Sequence, residues 1–558
     1  MKNFFLLVWM GLMLGACARV GSPVGGAKDT LAPRFVSSNI DTSRVGVPTD
    51  LKQLRLNFDE YITLKDASKN LIISPPLKLK RILPTSMGNR YVLVEWEGDL
   101  LANTTYNFNF GNAIADLNEG NILPYYNFAF STGDRLDDLY VSGEVFDGML
   151  RRSENEKKET ADKANYVVGL YQEKDTVDYA KKPYYIAKVD PDGYFELNYL
   201  SAGRYRLLAF NDENQNSVYD VGKEAVAFLK EPLELQKSLS GLDLRIFPVR
   251  KPLRYKEMKD MDGGAMLLFE GNPSRVEVKP LSEKLKTYNL IHHPKSDTVR
   301  LWFDAQAQDL GVSGSENLKF AYTADGKSGE ASLFYRAGAV KEMTLSNASG
   351  NLLPPNSALE IEANYPIAHL ESAKWKLVED SLTSRPFTVE TLERNPFKIK
   401  IRSAFEIGKK YSLTIPKETV KSYYTGVGKS YQFNFEIDKA ENYGILTLDL
   451  QHKPEAPFWV QLLSEKGDKV QFSKLSEEAL VRFTELKPGR YQLRLLVDDN
   501  RNGHWDPTDF ENKVEAEGVY VFPKIVEIRP LWENKEVWDL KTGSTSAPLK
   551  VESEVTPL

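Results

Sequence analysis

The stretch "LKPGRYQLRLLVDDNRNGHWD", Leu486 to Asp506, has a counterpart earlier in the chain: "LSAGRYRLLAFNDENQNSVYD", Leu200 to Asp220. The two align without a gap at an offset of 286 (200 to 486). Matched residues include Gly203/Gly489, Arg204/Arg490, Tyr205/Tyr491, Asp212/Asp498, Asn214/Asn500, Asn216/Asn502 and Asp220/Asp506. Each copy reads as an apolar strand running into a loop rich in Asp and Asn. A match of this length within one chain marks a duplicated module.

A second repeat runs at an offset of 305 (54 to 359). "LRLNFDEYI" from Leu54 matches "LEIEANYPI" from Leu359, "TYNFNF" from Thr105 matches "KYSLTI" from Lys410, and "YNFAF" from Tyr126 matches "YQFNF" from Tyr431. Three segments that keep one offset imply one strand spacing in both copies. The chain therefore reads as a two-module cassette present twice. The first copy spans residues 30–133 and 136–248, the second 337–437 and 442–540. Residues 250–336 form a further β-domain of undefined type between them, with alternation in "RVEVKPL" and "DTVRLWFD".

Every module reads as β. "LKQLRLNF" and "YVLVEWEG" alternate at period two, and "KVDPDGYFEL" and "SEKGDKVQF" carry strand–turn–strand signals. Helical periodicity is absent. The expected fold class is all-β, with tandem β-sandwiches strung along the chain. Residues 148–164 lack an apolar face and read as a solvated loop, and the tail 541–558 reads as disordered.

The 558 residues are too many for one core. Lys+Arg 72 against Asp+Glu 78 leaves a mildly acidic protein, which argues against nucleic-acid binding. The chain has one cysteine. It follows a basic start (Lys2), the apolar run "FFLLVWMGLML" and the small residues of "LGAC", which end at Cys17. Residues 1–16 read as a signal peptide. "LGAC" resembles a bacterial lipobox, which implies cleavage before Cys17, diacylglycerol on its thiol and an acyl chain such as palmitate on its amine. Such chains anchor a protein firmly, each buried CH₂ contributing about 0.8 kcal/mol. Residues 17–29 are rich in Gly, Ser and Pro and read as a tether. With no second cysteine, the exported modules must be held by core packing alone.

The first module, through "LNFDEYI", "ISPPL", "LLANTTYNFNFGNAIADLNEGN" and "YNFAFSTG", resembles the bacterial Ig-like domain of the S-layer type. The second and fifth, through the aligned stretch, resemble prealbumin-like (carboxypeptidase-regulatory-like) sandwiches. With the lipobox, these modules resemble a family of outer-membrane lipoproteins of Gram-negative bacteria. That likeness implies an architecture and a location rather than an activity. The fourth module departs from the Ig-like pattern, with "VKSYYTG" where the first has "ADLNEGN".

The Asx-rich loops are the candidate metal sites. Asp498, Asn500, Asn502, Asp506 and Asp509 fall at positions 1, 3, 5, 9 and 12 of a calcium-loop spacing, with Gly503 at the sharp turn. Asp212, Asn214, Asn216 and Asp220 form the second candidate, with Ser217 for the glycine and Lys223 at position 12. The competing reading is a hairpin turn capped by its own Asx side chains, with Tyr219 and Trp505 plugging the sandwich ends. His292-His293 and Asp59-Glu60 are weaker pairs, because neighbouring strand residues face opposite ways. No hydrolase, metalloprotease or phosphate-loop motif is present.

These readings converge on a non-catalytic outer-membrane lipoprotein. It would attach to the membrane through its lipid and dock a protein of the envelope assembly or secretion machinery. The alternative is glycan binding or adhesion, which needs an exposed aromatic platform; Trp302, Trp459 and Trp505 are its candidates. The residues after Cys17, Ala18-Arg19-Val20, lack an acidic cluster, which leans toward the periplasmic face.

Overall fold

The strand Gln53–Leu64 buries Leu54, Leu56, Phe58, Ile62 and Leu64 and turns Gln53, Arg55, Asp59 and Tyr61 to solvent. That period-two burial recurs through a computed structural model that describes residues 29–151, 165–174, 176–311, 315–336, 341–392, 395–542 and 544–545. Cys17, the signal segment, all of the tether but Asp29, and residues 152–164 lie outside the described residues.

In the first module Gln53–Leu64 pairs with Phe35–Ser38, Asn89–Glu97 and Ile114–Asp116, and Lys78–Leu83 closes the sheet. The facing sheet is Ile72–Ser74, Thr105–Gly111 and Tyr126–Ser131. Leu54, Leu56, Val92, Val94, Phe108 and Phe130 fill the space between. A fully buried side chain of this size is worth about 1.5–3 kcal/mol. The architecture is all-β: helical structure among the described residues is limited to the four-residue helix Ala67–Asn70 and the short 3₁₀ turns Ser372–Lys374 and Ala440–Asn442.

The fourth module repeats this plan. Leu359–Ala363 lies between Leu345–Asn347 and Asn395–Arg402, and Lys410–Ile415 between Lys376–Glu379 and Tyr431–Ile437. The repeat reaches single side chains. Tyr106 stacks on Phe130 at 5.7 Å, and Tyr411 stacks on Phe435 at 5.5 Å. The Tyr106 hydroxyl accepts the Leu101 N–H at 2.8 Å, and the Tyr411 hydroxyl accepts the Glu406 N–H at 2.7 Å. Tyr411 also donates to the buried Glu379 carboxylate at 3.1 Å. Removing either hydroxyl strands a backbone donor, at a cost of about 1–3 kcal/mol. Tyr411→Phe is expected to cost more than Tyr106→Phe, since it also deprives a buried carboxylate. Urea denaturation of the two variants checks the order; a loss below about 0.5 kcal/mol in both would contradict the account.

The second and fifth modules share a strand order. One sheet of the second runs Tyr185–Lys188, Tyr166–Gln172, Gly203–Asn211, Val226–Phe228; the other runs Tyr194–Leu200, Leu139–Asp147, Leu239–Ile246. In the fifth the same places are taken by Val470–Ser476, Phe458–Leu463, Gly489–Val497, Val519–Val521, and by Leu480–Leu486, Gly444–Gln451, Glu533–Asp539. In both, the first and last strands pair in parallel. Tyr205 and Tyr491 each donate a hydroxyl to the carbonyl four residues back, Ser201 and Lys487. The tail reading needs correction at one point. Ser544–Thr545 pairs with Val519–Val521, adding a strand at that edge of the sheet. The turn before it is held by Asp539, whose carboxylate accepts the Lys541 N–H.

The third module holds the sheets Arg254–Met261, Gly264–Glu270, Thr298–Trp302, Asn289–His292 and Val276–Pro280, Ser315–Ala324, Lys327–Arg336. It meets the fourth through the segment that departs from the Ig-like pattern. The Tyr424 hydroxyl donates to the Trp302 carbonyl at 2.7 Å and accepts from Asn289 at 3.0 Å.

The modules are not strung out as expected. The fifth folds back on the second. Phe510 enters a cluster with Tyr171, Tyr219, Phe228 and Val249, and Phe247 packs on Leu496, Val519 and Val521. Backbone bonds tie the seam, from Arg250 N–H to the Thr508 carbonyl at 2.7 Å and from Thr508 N–H to the Pro248 carbonyl at 3.0 Å. Apolar side chains that no module can cover alone drive this closure.

Candidate functional site

Both Asx loops lie close to this seam. In the fifth module, Asp498 ends the strand Gly489–Val497 and is buried at 3% exposure. Its two oxygens accept the Asn502 and Gly503 N–H groups at 2.9 Å each. The Asn500 side-chain oxygen accepts the Asn502 N–H, and that of Asn502 accepts the His504 N–H. Both amide nitrogens point at Asp506, at 2.8 and 2.5 Å. Burial pushes Asp506 up, but the two amides and Lys295, whose ammonium stands at 3.4 Å, outweigh it and hold the carboxyl below its usual range.

The first loop is nearly superposable in its bonds. Asp212 accepts from Asn216 and Ser217, Asn214 accepts from Asn216, and Asn214 donates to Asp220. Gln215 and Ser217 are left-handed, as are Arg501 and Gly503. Ser217 therefore adopts the conformation that glycine takes without strain.

The structure brings four of the five residues of the second loop together and separates the fifth. Asp509 accepts from the backbone and side chain of Asn512 and lies 3.5 Å from Arg250. The carboxylate that closes the loop is Glu517, which accepts the Asn500 and Asp506 N–H groups at 3.0 and 2.8 Å. Glu224 does the same in the first loop for Glu213 and Asp220, at 3.0 and 2.9 Å. Burial, with Asp212 and Asp220 nearby, pushes Glu224 up to about 7 against the pull of those two N–H groups.

The sequence reading offers Glu224 only as a neighbour of Lys223 and misses Glu517, because the copies fall out of register. Asn211 bonds to the Ala225 carbonyl and Val497 to the Gly518 carbonyl. The first residues stand 286 apart and the second 293 apart, so seven residues are inserted after Asp506. The insertion builds the turn that carries Phe510 and Lys513. The Phe510 ring meets Tyr179, Tyr219 and Phe228 at 5.0, 4.9 and 5.4 Å. The Lys513 ammonium lies 3.4 Å from the Phe510 ring centre, and burial there lowers it to about 8. One copy's loop has thus become a clasp on the other copy.

For calcium the fit is partial. Two carboxylates and two amides converge, but amide nitrogens face Asp506 and Asp509 is elsewhere. Among the described residues no group of three His, Cys, Asp or Glu side chains is placed to hold a metal. His292 sits 3.3 Å from the Ser296 carbonyl, and burial lowers its pKa. Asp59 accepts the Arg34 N–H, while burial and neighbouring carboxylates raise Glu60. The aromatic platform is not supported. Trp302 is buried against Tyr365 and Phe397, while Trp459 and Trp505 pack into the seam around Phe247. Trp532, at 60% exposure, is the open tryptophan among the described residues.

A bacterial Ig-like domain model matches residues 29–132. No curated protein matches the chain. Among solved structures, the S-layer protein rSbsC(31-844) is 10% identical with a TM-score of 0.15, covering 90% of this chain and 68% of that one. Titin domains A168–A170 are 10% identical at a TM-score of 0.13, covering 50% and 99%. The four N-terminal Ig domains of Dscam1 isoform 8.4 are also 10% identical at 0.13, covering 65% and 95%. Scores this low carry no argument about the arrangement of modules. The Ig-like character of the first module rests on the family match and on its strand order.

Proposed function

We propose that the chain is a non-catalytic lipoprotein of the outer membrane that serves as a docking scaffold for envelope protein assembly or secretion. The observation that carries this reading is the clasp. Seven inserted residues lock the fifth module onto the second through apolar packing, which makes a fixed frame of modules rather than a flexible tether of independent ones. The "LGAC" sequence at Cys17 supports attachment at one end of that frame. Calcium, if taken up by the loop at Asp498, would stiffen the frame and play no part in chemistry. The adhesion reading loses Trp302, Trp459 and Trp505 to packing and is left with Trp532.

The test is fractionation and co-purification from detergent-solubilised envelopes. Wild type is expected in the membrane fraction with a stoichiometric membrane protein. Cys17→Ser is expected to be released or to accumulate unprocessed. A mutant matured and retained like wild type would refute the anchor. Glycan-array binding with no protein partner would refute docking in favour of adhesion.

A further inference from the structure

The tip of the loop that opens at Asp498 sets a peptide nitrogen against the side chain before it. Asn502-Gly503 is the one Asn-Gly pair in the 558 residues. Both residues are exposed. Gly503 is left-handed at φ +82, and a side chain there would meet nothing within 4 Å. Water therefore reaches the pair from outside, and no Cβ shields the glycine nitrogen.

Each atom that ring closure between the two residues requires has a partner in place. The Gly503 N–H, on the nucleophile, donates to the Asp498 carboxylate at 2.9 Å, so a base already sits on its proton. The Asn502 side-chain carbonyl, the electrophile, accepts the His504 N–H at 2.9 Å. That bond polarises the carbonyl and, as an Asx turn, folds it back toward the Gly503 nitrogen. The Asn502 amide nitrogen, the leaving group, donates to Asp506 at 2.5 Å.

We propose that Asn502 is a self-modifying site, which the folded loop converts to a carboxylate. The Gly503 nitrogen attacks Asn502 Cγ while its proton passes to Asp498. The bond from Cγ to the amide nitrogen breaks, and that nitrogen leaves as ammonia with the proton that Asp498 returns. Water then opens the five-membered imide, and opening at Cγ leaves aspartate in place of Asn502. One water enters and one ammonia leaves, with no change of oxidation state. The product adds a third carboxylate to Asp498 and Asp506, at the fifth position of the calcium spacing. The first copy is a control within the chain. There the Ser217 N–H donates to Asp212 and the Asn216 side-chain oxygen accepts the Val218 N–H, but the Ser217 side chain crowds the attacking nitrogen.

The test uses the whole chain made soluble by Cys17→Ser, kept warm at neutral pH and mapped peptide by peptide in mass. A gain of about one dalton is expected at Asn502, faster than at Asn216, and faster in the folded chain than in the same chain unfolded in guanidinium. Asp498→Asn should slow the gain at least about tenfold, since a placed base contributes that much or more. An Asn502 that stays intact, or that converts no faster folded than unfolded, overturns the proposal without reference to calcium. An Asp498→Asn chain that converts at the wild-type rate overturns the role of Asp498 as base. The benefit to calcium binding rests on the loop reading above and is measured apart. Asn502→Asp should melt lower than wild type in chelator, because three carboxylates then face one another, and should bind calcium about tenfold more tightly. A variant that melts like wild type in both conditions overturns the completion of the loop by the new carboxylate.

Discussion

Phe510→Ala is expected to remove about 3–5 kcal/mol from the stability of the joined second and fifth modules, the range for truncating a buried phenylalanine. The ring is 4% exposed and makes edge contacts with three aromatic rings of the other module, each such pair worth about 0.5–1.5 kcal/mol beyond burial. Alanine would also leave the Lys513 ammonium over a cavity. For a cooperative unit of about 200 residues the loss corresponds to a melting shift of roughly 10 °C. The rest of the seam, Phe247 with Leu496, Val519 and Val521, should keep the modules in contact in the single variant. Adding Phe247→Ala should release them, seen as a larger radius of gyration by X-ray scattering. A double-mutant cycle of Phe510→Ala with Phe228→Ala should show coupling, since each truncation removes the other's partner. Additive losses, or a single-variant loss under about 1 kcal/mol, would mean that the clasp does not join the modules.

The parts of this fold legible in the sequence are those written locally. Leu54 and Leu56 alternate with polar residues and lie in the core as that pattern predicts, while Val92 and Val94 enter the same core on either side of Leu93, which is buried as well. The gapless match from Leu200 to Asp220 picked out a pair of strands and loops with the same bonds and the same left-handed residues. Legibility ended where the copies diverge in length. Glu224 and Glu517 do the same work, yet no fixed offset relates them to the ends of their loops. Phe510 stands in "DPTDFENK" among polar residues, and its burial depends on rings 282 to 331 positions away in the chain (228 and 179 to 510). The three tryptophans offered as a platform are taken up by packing for the same reason, Trp302 buried and Trp459 and Trp505 half-buried: each meets a neighbouring module, and contacts between modules leave no period in a sequence.

The loop at Asp498 gives the second large effect. Millimolar calcium is expected to raise the melting temperature of the soluble chain over that in chelator. A ligand that binds only the folded state adds RT ln(1 + [L]/Kd), or about 2.7 kcal/mol at a hundred times Kd. For a unit the size of the joined modules that ceiling corresponds to roughly 5–10 °C, whereas calcium near Kd adds RT ln 2, about 0.4 kcal/mol or roughly 1 °C. Asp498→Asn with Asp506→Asn should abolish the difference between calcium and chelator, and the chelator baseline separates that loss from simple destabilisation. The partial fit sets the strength. Two carboxylates are few for calcium, and Lys295 already places a cation beside Asp506. Lys295→Met should therefore increase the calcium response, since the ion would no longer have to displace an ammonium. The loop at Asp212 should respond less, because Ser217 holds the strained turn and the raised pKa of Glu224 leaves a share of that carboxyl protonated near neutral pH. If calcium and chelator give the same melting curve, and Lys295→Met changes nothing, the Asx residues serve only their own backbone. The loop would then matter for the clasp it carries, with the seven-residue insertion as its one innovation over the first copy.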